Sequence, residues 1–111
     1  MLNISTQKIY LYRKPIHMNC SFEGLSNLVE HIFPDQLLTG AYFIFLNKTG
    51  NKIKIICWDR DGLLIFYKRL EKGRFTVDSK GNTELSRREF QMLFEGIKPR
   101  SLNRRFFLKN N

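Results

Sequence analysis

Between Tyr42 and Leu70 the chain alternates three apolar runs with two glycine-bearing turns: YFIFLN, KTGN, KIKIICW, DRDG and LLIFYKRL. β-Branched and aromatic residues dominate the runs, and each turn pairs Gly with Asn or Asp, residues that tolerate positive φ. The segment is therefore predicted as three consecutive antiparallel strands. The rest of the chain has to pack around this sheet.

Side chains alternate across a strand, so a two- or four-residue loop in each hairpin fixes which residues share a face. One face then collects Tyr42, Ile44, Leu46, Ile53, Ile55, Cys57, Leu64 and Phe66, and is expected to be the core face. The other collects Phe43, Phe45, Asn47, Lys52, Lys54, Ile56, Trp58, Leu63, Ile65, Tyr67 and Arg69. Two readings of that mixture stand side by side. Cations interleaved with aromatic rings suit nucleic acid, the cations meeting phosphates and the rings meeting bases or sugars. Equally, helices or a second subunit can cover the apolar part while the lysine and arginine heads stay wet at the margins.

The flanks supply the remaining elements. Lys8 to Arg13 alternates enough for a strand that Pro15 ends or confines to an edge. Phe22, Leu25, Leu28, Val29 and Ile32 recur at helical spacing, with Ser21 as N-cap and Pro34 stopping the run. A further short strand is expected around Arg74 to Val77. Ser86-Arg87-Arg88-Glu89 has the form of a capping box, and Phe90, Leu93 and Phe94 share one face of the helix it opens, with Gly96 suited to its C-cap. The expected fold is α+β: one domain over residues 1–97, an antiparallel meander of about four to five strands with two amphipathic helices packed on one face. Residues 98–111 form a basic C-terminal extension.

A chain of 111 residues buries roughly 60–70% of its unfolded surface, leaving little room for a deep cleft. Its longest apolar runs fall far short of a membrane span, and the first residues lack the sections of a secretory signal, so the expected compartment is the cytoplasm, with no membrane partner. Cys20 and Cys57 are read as free thiols.

The formal charge of +9 is unevenly placed: 0 over residues 1–47, +5 over 48–74, −1 over 75–97 and +5 over 98–111. Such a surplus favours polyanionic partners, nucleic acid first. The residues expected to meet DNA or a protein partner are Lys52, Lys54, Trp58, Lys68, Arg69, Lys72 and Arg74, with Arg100, Arg104 and Arg105 of the tail. Phe106 and Phe107 could instead fold the tail back onto the core.

Catalytic patterns are scarce. His17 and His31 lie in no metal spacing with Cys20 or Cys57, and no phosphate-binding loop, H-E-x-x-H or G-x-S-x-G occurs. Asp59-Arg60-Asp61-Gly62 superficially resembles the start of a calcium loop but continues Leu-Leu-Ile-Phe, which offers no oxygen ligands, and is read as a hairpin turn. A nuclease site built on Asp59 and Asp61 would need further carboxylates, with Glu71 the nearest candidate. No catalytic residue, metal or cofactor is expected.

The run Ile53-Lys54-Ile55-Ile56-Cys57-Trp58-Asp59-Arg60-Asp61-Gly62, followed by Tyr67-Lys68-Arg69-Leu70-Glu71-Lys72-Gly73-Arg74-Phe75, resembles the signature of the TnpB-type accessory proteins, the second open reading frame of the IS 66 class of bacterial insertion sequences. Phe22-Glu23-Gly24-Leu25, Thr39-Gly40, Phe43-Ile44-Phe45 and Leu93-Phe94-Glu95-Gly96-Ile97 match in the same order, so the resemblance covers about residues 10 to 97. Before the first helix the family usually has Asp-Met-Arg-Lys-Gly, whereas this chain reads His17-Met18-Asn19-Cys20-Ser21. The resemblance implies an accessory role in transposition beside a separate, larger transposase that carries the cutting and joining chemistry. It brings no catalytic residues with it. The partners it leaves open are element-end DNA, the transposase, or both, and a purely protein-binding or self-associating module is the alternative. The much longer RNA-guided nucleases that share the TnpB label are a different group.

Overall fold

The computed structural model describes residues 7–77 and 83–95. The chain runs through β1 (Ile9–Leu11), α1 (Phe22–Ile32), a single 3-10 turn (Leu37–Thr39), β2 (Tyr42–Leu46), β3 (Lys52–Asp59), β4 (Gly62–Arg69), β5 (Glu84–Leu85) and α2 (Arg87–Glu95). The strands form one sheet in the order β4-β3-β2-β1-β5. The fold is α+β.

The three central strands form the expected hairpins. Phe43 faces Ile56 and Ile44 faces Ile55 across the first; Lys54 faces Tyr67 and Trp58 faces Leu63 across the second. In both hairpins opposed residue numbers sum to an odd value, so the face assignment from strand parity holds. β1 departs from a simple meander: it pairs parallel to β2, Ile9 beside Tyr42 and Leu11 beside Ile44. Parallel neighbours cannot be joined by a tight turn. The long link that carries α1 supplies the crossover, and the extended stretch after β1 keeps following β2, with the Tyr12 and Ile16 amides donating to the Ile44 and Leu46 carbonyls at 3.0 and 2.9 Å.

Where both helices were expected on one face, they lie on opposite faces. α1 buries Leu25 and Val29 against Phe43, Phe45 and Ile56, while α2 buries Phe90 and Leu93 against the cluster of Ile44, Ile53, Ile55 and Cys57. The cause is the composition of β2 and β3, which are apolar on both sides. With a buried Val or Leu side chain stabilising by about 1.5–3 kcal/mol, neither face could be left bare. Tyr10, Phe33 and Phe43 pack ring on ring within the α1 layer, with centroids 5.1–5.6 Å apart. Phe22, which the helical spacing placed in the stripe, is exposed.

Arg74 to Val77 is not a strand. Phe75 is buried in the α2-side core, and its amide donates to the Gly50 carbonyl at 2.8 Å, which anchors a loop instead of extending the sheet. The fifth strand is β5, antiparallel to β1. Helix α2 starts as its sequence dictates: the Ser86 hydroxyl accepts the Glu89 amide at 3.0 Å, and the Glu89 carboxylate accepts the Ser86 amide at 2.8 Å. Ser21 is the N-cap of α1 in extended backbone but makes no side-chain capping bond. Gly96, the tail 98–111 and its proposed boundary lie outside the described residues.

Candidate functional site

The structure sorts the cations of residues 48–74 into two groups. Lys54, on the α1 face of β3, is buried, and its ammonium donates to the backbone carbonyls of Met18 and Cys20, both at 2.6 Å. The same nitrogen lies 4.7 Å from the centre of the Tyr67 ring, its cross-strand neighbour. Lys54 thus fastens the chain just ahead of α1 to the sheet. The acceptors are main-chain oxygens, so the contact is indifferent to the side chains of the His17-Met18-Asn19-Cys20 departure.

Lys68 mirrors it on the other face. Its ammonium donates to the Phe94 carbonyl at 3.2 Å and sits 4.3 Å from the Phe94 ring centre, in the last turn of α2. A cation there also meets the negative end of the helix dipole. One strand lysine on each face therefore pins one helix.

Of the six other cations, Arg60 lies in the turn between β3 and β4 and the remaining five gather at the opposite end of the sheet. β2 ends, β3 begins and β4 ends there, and two loops meet. The first, Asn47 to Asn51, is held by its own polar side chains: the Asn47 amide donates to Thr49 and Asn51 oxygens at 3.0 and 2.8 Å, and its oxygen accepts the Lys52 amide at 3.0 Å. The second, Leu70 to Phe75, is tied to the first at both feet, the Leu70 amide to the Asn51 carbonyl at 2.7 Å and the Phe75 amide to the Gly50 carbonyl. Between those feet Glu71, Lys72, Gly73 and Arg74 arch into solvent, all exposed. Gly50 at φ 75° and Gly73 at φ 78° make the two bends, a left-handed backbone that other residues adopt only with strain.

The two loops bring together Lys48, Lys52, Arg69, Lys72 and Arg74, with Glu71 the one carboxylate among them. Lys52 stands directly across from Arg69, a like-charge pair that costs free energy in the absence of an anion. Glu71 offsets part of this through a 3.1 Å ion pair with Arg69, exposed on both sides and worth under about 1 kcal/mol. Lys48 escapes sequence reasoning because it sits in a turn; the signal was the Gly50 turn itself, which returns the chain to Lys52.

Trp58 is not part of this cluster. It is half-buried six residues further along β3, about 20 Å from Lys52 at ~3.3 Å per residue. It adjoins the W-D-x-D-G hairpin, where Arg60 takes φ 55° and Asp59 and Asp61 are exposed. Glu71 lies at the far end of β4, so the three carboxylates of the nuclease idea do not converge. Among the described residues no group of three or more His, Cys, Asp or Glu side chains is placed to hold a metal ion. No helix among them is long and apolar enough to cross a membrane. Cys20 and Cys57 are free, and burial, then the Asp59 charge, push the Cys57 thiol above its ordinary value of 9.0. Arg100, Arg104 and Arg105 lie outside the described residues.

Two curated relatives come from Sinorhizobium fredii (strain NBRC 101917 / NGR234). Uncharacterized protein y4hO is 33% identical over 82 residues, covering 72% of this chain and 71% of its own. Uncharacterized protein y4jC is 27% identical over 92 residues, covering 81% and 79%. No solved structure matches. The family described as IS66 Orf2 like protein matches residues 7–104, a span that contains both lysine clamps and the two-loop cationic end, and the chain belongs to that family.

Proposed function

We propose that the protein is a non-enzymatic accessory factor of an insertion sequence that assists transposition by gripping DNA at the element ends, beside the separate transposase. The observation that carries this reading is the cationic end, where five basic side chains gather at two mutually anchored loops with one carboxylate among them. Such a surface contacts phosphates and gains from counterion release, and it has no sequence-reading element. Phe43 and Phe45 are covered by α1, so those two rings do not meet bases, and the contact at the cationic end is to the phosphate backbone.

The test is binding of element-end and unrelated duplexes over a salt series. Contact with three or four phosphates gives a log–log slope of about −3 to −4, similar for both duplexes. Absence of binding at low salt removes DNA as the partner. A second reading, a transposase-binding module without DNA contact, has the exposed apolar side chains Phe22 and Leu38 in its favour. Co-purification with the transposase that survives nuclease treatment and high salt, and is abolished in Phe22→Ser/Leu38→Ser, would support it.

A further inference from the structure

We infer that β4 is a self-association edge: two copies pair their β4 strands antiparallel about a two-fold axis at Ile65, joining the sheets. β4 is an outermost strand, eight residues long, without proline. The Leu70 amide points to Asn51, the residue just ahead of β3, so by alternation the backbone groups of Leu63, Ile65, Tyr67 and Arg69 point away from β3. Among the described residues no strand pairs with that side. Proteins usually blunt such an edge with a proline, a bulge or a central charge. Here the middle of the strand reads Leu-Leu-Ile-Phe-Tyr, and its one nearby lysine, Lys68, is turned to the Phe94 carbonyl.

The strand is also complementary to itself in reverse. Antiparallel pairing must match outward-pointing residues, and centring it on Ile65 sets Leu63 beside Tyr67 of the second copy, Leu64 beside its Phe66, and Ile65 beside its own counterpart. Leu64 and Tyr67, two of the exposed large apolar side chains, each acquire an apolar neighbour. At both ends the same register brings the Asp61 carboxylate at the hairpin tip beside Arg69 of the second copy. That charge match selects a second copy as the occupant, and an isologous interface repeats it twice. Arg69 is thereby drawn to the dimer seam, and Lys48, Lys52, Lys72 and Arg74 remain at the cationic end. This pairing does not depend on the DNA reading.

Sedimentation equilibrium of the full chain over a concentration series tests it. The expected species is a dimer, twice 13.2 kDa. Asp61→Arg and Arg69→Asp should each weaken dimerisation about tenfold, two ion pairs being turned repulsive, and the double swap should restore it. Ile65→Pro, which removes an outward donor, should give monomer. A wild-type chain that is monomeric throughout overturns the inference. So does a dimer indifferent to the single reversals, or one not restored by the double swap, a comparison that stands even if Ile65→Pro fails to fold.

Discussion

Replacing Lys54 with Met retains an unbranched stem of similar length and deletes the ammonium that bonds the Met18 and Cys20 carbonyls at 2.6 Å. Exchanging both partners of a buried polar contact for apolar groups can be neutral, but here the two carbonyls are main chain and remain. Each hydrogen bond from a charged donor is worth about 1.5–3 kcal/mol, and the residues bearing the acceptors are only half-buried, so water recovers part of the loss. The contact with the Tyr67 ring adds about 0.5–1 kcal/mol. A net destabilisation of about 2–3 kcal/mol is expected, and at about 4–8 °C per kcal/mol for a domain of this size that lowers Tm by roughly 8–24 °C. Urea and thermal melts of Lys54→Met measure it, with the exposed Lys48→Met as a control that should stay within about 0.5 kcal/mol. Hydrogen exchange should quicken first in the stretch ahead of α1. A Lys54→Met protein as stable as the control would refute the clamp.

Lys68→Met removes one hydrogen bond and one ring contact at the end of α2 and should cost about 1 kcal/mol, with faster amide exchange in α2 as the local signature. Ser86→Ala should cost about 0.5–2 kcal/mol through the reciprocal cap, whereas Ser21→Ala, which breaks no side-chain capping bond, should cost clearly less; urea midpoints of the pair decide it. Cys57 is a thiol whose folded value is raised by burial, so its contribution to stability is fully present below 9.0 and is lost as pH rises through the higher folded value. Unfolding free energies measured from neutral to strongly alkaline pH should therefore fall less in Cys57→Ala than in wild type, and iodoacetamide should alkylate Cys20 well before Cys57.

Much of this architecture can be read from local pattern. Ser21 and Pro34 bracket α1, the capping box opens α2, and the glycine turns fix the parity that sets Phe43, Lys54 and Tyr67 on one face. These features depend on neighbours a few residues away. Other outcomes depend on distant partners. β1 looks like any short strand, and its parallel place beside β2 follows from the length of the link that carries α1. Phe75 has strand-forming company but is drawn into the core by the Gly50 carbonyl. The candidate site shows the same division: the motifs correctly marked a charged segment, yet the fates of Lys54 and Lys68 were decided by carbonyls 34, 36 and 26 residues away, which no spacing rule encodes. Trp58 shares a face with Lys52 but not an end of the strand.

One basic segment thus contains lysines that hold helices and cations proposed to hold a partner, and one comparison tests that division directly: the salt dependence of element-end DNA binding, measured beside thermal stability, for Lys48→Ala/Lys52→Ala/Lys72→Ala and for Lys54→Met. The triple variant should flatten the log–log slope by up to ~0.9 for each phosphate no longer neutralised and leave Tm nearly in place. Lys54→Met should do the reverse, lowering Tm while keeping the slope at temperatures where it is folded. A slope that is unchanged in the triple variant, or that falls with Lys54 instead, would contradict the assignment of DNA binding to the two-loop end of the sheet.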